Sequence, residues 1–266
     1  MSVATSHWPE TEIVQRPTPP DYIVGLDAGQ LRDYSALSIL ERREHPAAHA
    51  PVPGPLSFAE RWGLKKLPAV PMEAHYACGH LERYPLGESY PDQVKRTVAT
   101  LRQLRETIDR AGGGRLVLCL DATGVGVAVA DLYREADLAG ATFVPITIHG
   151  GDSPSRDDRG GWRVPKRAIV SYLQVALQTR RLQVASSLPE AETLAREFRN
   201  FRAKIKASGH DSYGAASDWR ESSHDDLLLS IGIAIWYSEH AMAGWPAAMS
   251  EGLRQAMSWQ SSPGQG

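Results

Sequence analysis

A chain of 266 residues, 42% hydrophobic and 23% charged, has the makeup of a globular protein with room for one sizeable core. No apolar run approaches the roughly 18 residues of a membrane helix, and Met1 to Pro20 lacks the basic start and apolar stretch of a secretory signal. The net charge of −2 argues against a uniformly basic nucleic-acid binder, and the two cysteines, Cys78 and Cys119, sit in apolar stretches as buried thiols, which fits a reducing cytoplasm.

Residues 1–20 carry Pro9, Pro17, Pro19 and Pro20 with no periodicity and read as a flexible leader. A first strand follows over 22–28, and Tyr34 to Arg42 alternates well enough to pair with it antiparallel across a short turn. Six prolines between 45 and 71 interrupt any regular element, so an insertion or long loop is expected there. Ala74 to Tyr84 supplies a third strand. Pro91 stands where a first-turn helical proline belongs, and Val94, Val98, Leu101, Leu104 and Ile108 share one face of a helix that runs from Asp92 to Arg110. Gly112, Gly113 and Gly114 stop it.

The fourth strand, 115–121, leads through Asp121-Ala122-Thr123-Gly124-Val125-Gly126 into a helix that reaches about Ala136. Thr142 to Ile148 is a fifth strand and 150–155 a loop. A helix from Lys166 to Thr179, a short extended piece at 182–184 and a helix from about Glu190 to Phe201 come next. A hairpin is expected over 203–213, then a long apolar helix from Asp225 to about Ala241, and a short helix and frayed tail over 242–266. Three strands, then helix, strand, helix, strand and helices, make a mixed sheet: an antiparallel meander extended by parallel strands and flanked by helices. That is the order of a ribonuclease H-like α/β fold, here over residues 21–241, in which the tips of the first and fourth strands are neighbours.

Three acidic positions fall at element ends. Asp27 closes the run Tyr22 to Leu26, Asp121 closes Leu116 to Leu120, and Asp225-Asp226 opens Leu227 to Trp236. Unbroken apolar strands are buried on both faces, which puts a carboxylate at the tip on the edge of a core. Carboxylates gathered there repel one another unless a cation lies between them, and hard divalent ions take carboxylate oxygens. The residues therefore point to a metal-dependent hydrolase of phosphodiesters. Asp33, close after Asp27, reads equally as a supporting carboxylate or a turn acid. Basic residues concentrate between Arg156 and Lys206, including Arg163, Lys166, Arg167, Lys204 and Lys206, a pattern that suits contact with nucleic-acid phosphates. A solvated helix face is the competing reading of the same charges.

Four blocks carry a family resemblance. Val24-Gly25-Leu26-Asp27-Ala28-Gly29-Gln30 with Asp33-Tyr34-Ser35-Ala36-Leu37 looks like the opening of the nuclease domain of tailed-phage large terminase subunits. Asp121 to Gly126, Gly161-Trp162-Arg163-Val164-Pro165-Lys166-Arg167 and His224-Asp225-Asp226-Leu227-Leu228-Leu229 resemble its later blocks. The resemblance runs from about residue 22 to 240, and its strength lies in four short blocks in order.

The resemblance implies an endonuclease that cuts double-stranded concatemeric phage DNA during genome packaging, in the cytoplasm of a bacterial host. Two Mg²⁺ or Mn²⁺ ions, roughly 3.5–4 Å apart, would be held by Asp27, Asp121 and Asp226. Asp225 is the alternative third ligand, set second because it reads naturally as a helix N-cap. Many relatives carry a further acid three or four residues into this helix, where Leu228, Leu229 and Ser230 stand here. Lys166 or Arg163 would neutralise charge on the phosphate, and His224 is an auxiliary candidate for proton transfer or for orienting a carboxylate. The ATPase motor of full-length large subunits needs a G-x-x-x-x-G-K-[ST] loop, and no such string occurs in this sequence. A separate motor, a small terminase subunit and a portal are the expected partners.

Other readings compete. Thr123-Gly124-Val125-Gly126 resembles a nucleotide loop but lacks the third glycine and the downstream ribose acid. A sugar-kinase or actin-like ATPase requires two copies of the sheet domain. A non-catalytic DNA-binding packaging component and a junction-resolving nuclease of the same fold remain as alternatives. Trp162 and Tyr172 are candidates to stack on bases, with core packing as the plainer role.

Overall fold

The computed structural model describes residues 19–29, 33–48, 70–123, 126–207 and 225–242. Among them lie strands β1 (Asp21–Asp27), β2 (Ala36–Pro46), β3 (Met72–Arg83), β4 (Leu116–Asp121), β5 (Thr142–His149), β6 (Ser155–Arg156), β7 (Trp162–Pro165) and β8 (Leu182–Val184). The helices are α1 (Tyr90–Arg110), α2 (Gly126–Glu135), α3 (Lys166–Gln178), α4 (Ala191–Ala207) and α5 (Asp226–Tyr237), the last continued by a π-helical turn, Ser238–Met242. One sheet holds the strands in the order β6-β7-β5-β4-β1-β2-β3-β8.

β1, β2 and β3 form the antiparallel meander, while β4, β5 and β7 add parallel on one side and β8 parallel on the other. This mixed sheet between two layers of helices is a ribonuclease H-like fold, as the element order predicts. Alternation along β1 and β4 feeds two cores. Ile23, Val117 and Cys119 join α3 and α5 in one, whereas Val24, Leu26, Leu118 and Leu120 join α1 and α2 in the other.

α1 starts as its sequence indicates, with Ser89 as N-cap accepting the Asp92 N–H and Pro91 in the first turn. α5 is apolar all round, and Leu227 through Trp236 are buried. It crosses β1 at Gly25, where a Cβ would lie 1.9 Å from the Ser230 carbonyl oxygen. Only glycine permits that approach. The helix runs antiparallel to β1: Asp226 lies beside Arg83 at the strand-tip end of the sheet, and Ser238 beside Arg42 at the base.

Two expectations change. α4 continues through Ala207, so 203–207 are helical and not the start of a hairpin; the Ala-Lys-Ile-Lys-Ala string alternates, but these are mostly strong helix formers that extend a helix already begun. The segment 150–165, expected as a loop and helix lead-in, also contains a small hairpin, β6 paired antiparallel with β7, which places β7 against β5. Strands of two and four residues leave too little periodicity to read. Most of the leader (1–18), most of the proline-rich stretch (49–69), 208–213 and the tail beyond Met242 lie outside the described residues.

Candidate active site

Strand register aligns one row across the sheet. Arg83 pairs with Ala36, Ala36 with Asp27, Asp27 with Asp121, and Asp121 with Ile146. Neighbouring strands lie about 4.8 Å apart, so the Asp27 and Asp121 backbones sit side by side. Both residues continue the alternation of the α5-facing side, set by Ile23 and Gly25 on β1 and by Val117 and Cys119 on β4. The two carboxylates, one from each end of a 94-residue interval, therefore share a face at adjacent strand tips. Asp121 is buried and Asp27 half-buried.

The turn beyond each tip is built to hold it. Asp121 Oδ1 accepts the Thr123 N–H at 2.8 Å, and Thr123 Oγ1 accepts the Ile148 N–H at 2.7 Å, which ties the β4 exit to β5. After β1, the Gly29 N–H donates to Ser35 Oγ (3.0 Å), and that hydroxyl donates to Gln93 Oε1 (2.8 Å) at the start of α1. A Cβ at Gly29 would meet the Asp33 and Tyr34 carbonyl oxygens at 2.5 and 2.4 Å, so a larger residue cannot occupy this turn unchanged. The Asp33 side chain is exposed in the same turn.

The N-terminus of α5 supplies the third acidic position. Asp225 is its N-cap residue, as expected, yet the side chain makes no capping hydrogen bond. Glu197 of α4 serves the first turn instead: its Oε2 accepts the Leu228 N–H at 2.8 Å, and its Oε1 accepts from Arg83 Nη2. Arg83 Nη2 lies 3.9 Å from Asp226 Oδ2. Burial pushes the Glu197 carboxyl up to about 7, with the nearby Asp226 charge adding to the rise, against the Leu228 N–H and Arg83, which act to lower it.

Arg83 and Glu197 escaped sequence reading, although each leaves a trace. Arg83 ends the alternating face of Ala74, Tyr76, Cys78 and Leu81, and Glu197 stands on the core-facing stripe of α4 between buried Leu194 and partly buried Phe198. Charges in apolar registers are the signal, but the partner of each lies 114 residues away in the chain.

The basic candidates disperse. β7 ends with Pro165 opposite His149, three residues past the Ile146 that is level with Asp121, so Lys166 opens α3 at the acidic end of the sheet. Arg163 is exposed and, by alternation with Trp162 and Val164, projects to the opposite face. Arg167 holds Asp152, 2.8 Å to the carboxylate and 2.7 Å to the carbonyl oxygen. Lys204 and Lys206 fall on the last turns of α4, and His224 lies outside the described residues. Arg181, counted in the basic stretch, is buried against Glu239 and offers no charge to a ligand. Trp162 packs edge-on against Trp236 and His240, and Tyr172 is buried, so both serve the core.

Among the described residues, no three His, Cys, Asp or Glu side chains are gathered closely enough to hold one ion together. The donor set itself, carboxylates on one face at adjacent tips, has the hard oxygen chemistry that Mg²⁺ and Mn²⁺ take. No helix among the described residues is long and apolar enough to cross a membrane.

No protein-family model matches the chain, and no curated protein does. Solved structures with a similar arrangement include the large terminase nuclease from thermophilic phage G20c, at 21% identity and a TM-score of 0.42, covering 83% of this chain and 82% of that one. The human cytomegalovirus terminase nuclease domain, Mn soaked, is similar at 9% identity and a TM-score of 0.48, covering 85% of this chain and 86% of that one.

Proposed function

We propose that the chain is a metal-dependent endonuclease that cleaves double-stranded DNA, the reading to which the four sequence blocks also lead. The observation that carries it is the register pair Asp27–Asp121, two carboxylates on one face at adjacent strand tips beneath the start of α5. Asp27 and Asp121, with Asp226 or its neighbour Asp225, would hold two Mg²⁺ or Mn²⁺ ions. Bound there, divalent ions supply the Lewis acidity that activates water and stabilises the departing 3′ oxygen of a phosphodiester.

The protein's own residues contribute orientation and charge. The Thr123 N–H fixes one oxygen of Asp121. Lys166, at the same end of the sheet, would meet a DNA phosphate, a role for which a positioned cation is suited. The positive end of α5 favours the carboxylates at 225 and 226. A role in phage genome packaging, beside a separate ATPase motor, a small terminase subunit and a portal, rests on the sequence blocks.

The test is cleavage of supercoiled plasmid with Mg²⁺, Mn²⁺ or EDTA, wild type beside D121A. Metal-dependent nicking or linearisation that D121A loses supports the reading. Absence of cutting with either metal overturns it in favour of a non-catalytic DNA-binding component. Preferential cutting of a four-way junction over linear duplex moves the assignment to a junction-resolving nuclease.

A further inference from the structure

Building on that nuclease reading, we propose that Glu197 and Arg83 are positioning residues for Asp226, acting as a bracket that sets where the third carboxylate stands relative to Asp27 and Asp121. α5 buries an almost wholly apolar surface from Leu229 to Trp236, and apolar contacts alone tolerate sliding and rotation of a helix. Its first turn is not capped by its own N-cap side chain. One carboxylate from α4 performs that function in trans on the Leu228 N–H, and through its second oxygen grips Arg83.

Arg83 belongs to the same cross-sheet row as the two strand-tip acids, two strands from Asp27. Its guanidinium also lies over the Tyr34 ring, 5.3 Å from the centroid, in the segment between β1 and β2. A single side chain is thus held by α4 and by the β1–β2 connection, and stands 3.9 Å from the Asp226 carboxylate. The position of Asp226 is thereby referred to the row that contains Asp27 and Asp121, and not merely to the apolar bed of α5.

Stability is a poor reason to keep such a pair. Removing two charges from water costs several kcal/mol per ion, and well-packed apolar residues in their place are often as stable or more so. Glu197 is 4% and Arg83 15% exposed, so the cost applies with little relief from solvent. A geometric role for the carboxylate they hold accounts for their burial.

The experiment measures Mn²⁺ binding to the full chain by calorimetry, well below the thermal transition of each protein, for wild type, D121A, E197Q and R83M. E197Q can still accept the Leu228 N–H but carries no charge to grip Arg83, and R83M fills the space without the charge. Positioning weakens Mn²⁺ binding in both variants, by roughly 10-fold, the scale found for residues that orient metal ligands. A purely electrostatic role moves them apart, because loss of a cation tightens Mn²⁺ binding in R83M while loss of an anion weakens it in E197Q. Opposite shifts, or unchanged affinity in both, overturn the inference, and unchanged affinity with a lowered Tm assigns the pair to stability alone. R83K, which keeps the charge at shorter reach, is expected between R83M and wild type. If wild type shows no Mn²⁺ binding that D121A removes, the nuclease reading fails and the bracket with it; binding lost in D121A but not in E197Q and R83M refutes the bracket only.

Discussion

Buried polar clusters lie under both ends of α5, and they differ in charge balance. At the base, Arg42 donates to Ser238, Asp21 and Glu44, and Arg181 donates to Glu239 and to the Ala74 carbonyl. The Tyr76 hydroxyl lies 2.9 Å from both Ser238 Oγ and Glu239 Oε1, while Arg115 closes on the far side of Asp21. Cations and anions there are matched group for group. At the strand-tip end, Asp27 and Asp121 stand side by side on adjacent strands, and Glu197 and Asp226 flank Arg83 near the start of α5. The base is a closed clamp that fixes the C-terminal end of the helix. At the tip, four of these carboxylates share one guanidinium, the balance that the proposed cation site would use.

Substitution of the strand-tip acids is the sharpest way to break that contrast. D27N and D121N are each expected to lower metal-dependent plasmid cleavage by more than about 100-fold, since losing a ligand costs more than losing the partner that orients one. Their Tm should hold or rise, because one of two like charges is removed. A fall in Tm with cleavage retained would make the tip another structural clamp.

At the base the same kind of change should act on stability alone. E239A leaves Arg181, 3% exposed, without its counter-ion and is expected to cost about 3–5 kcal/mol in chemical denaturation. Replacing both residues by apolar ones should be milder than either single change, and Mn²⁺ affinity of the folded protein should not move. Altered Mn²⁺ affinity in E239A would couple the two ends through α5.

Glu197 gives the tip a pH signature. Its carboxyl stands at about 7 in the folded protein against 4.5 when free, so the folded state holds the proton more tightly. Stability should then be greatest, for this group, below pH 4.5, and fall as the pH climbs from 4.5 through about 7, by on the order of 3 kcal/mol in all. E197Q should flatten that slope in denaturation curves taken at successive pH values; an unchanged slope would assign it to other groups.

A smaller effect separates neighbouring cations. K166E should weaken DNA binding and reduce its salt dependence by about one ion's worth, whereas R167E should do less, because Lys166 opens α3 directly beyond the β7 tip at the acidic end of the sheet. Equal losses measured by titration at several salt concentrations would place both on the DNA path.

Much of the fold was legible in the residues. β1 and β4 are unbroken apolar runs closed by acids, and their lengths, the Ser89–Pro91 start of α1 and the apolar block of α5 all follow from local pattern. Asp27 and Asp121 were readable as neighbours once strand order was inferred, because a parallel pair brings equivalent tips together. Where pattern was too short or ambiguous, reading failed: β6 and β7 are too brief to show a period, and the alternating string at 203–207 belongs to a helix.

Local order therefore comes from side-chain periodicity along the chain, which fixes what each segment buries. Which charged residue is buried, and against whom, is a different matter. A charge in an apolar register marks Arg83 and Glu197, but nothing near Arg83, Glu197, Arg181 or Glu239 in the chain names the partner that each will meet. Their roles arise where α4, α5 and the sheet close on one another, since a buried charge is tolerated only when packing brings it a partner, and packing joins residues far apart in sequence.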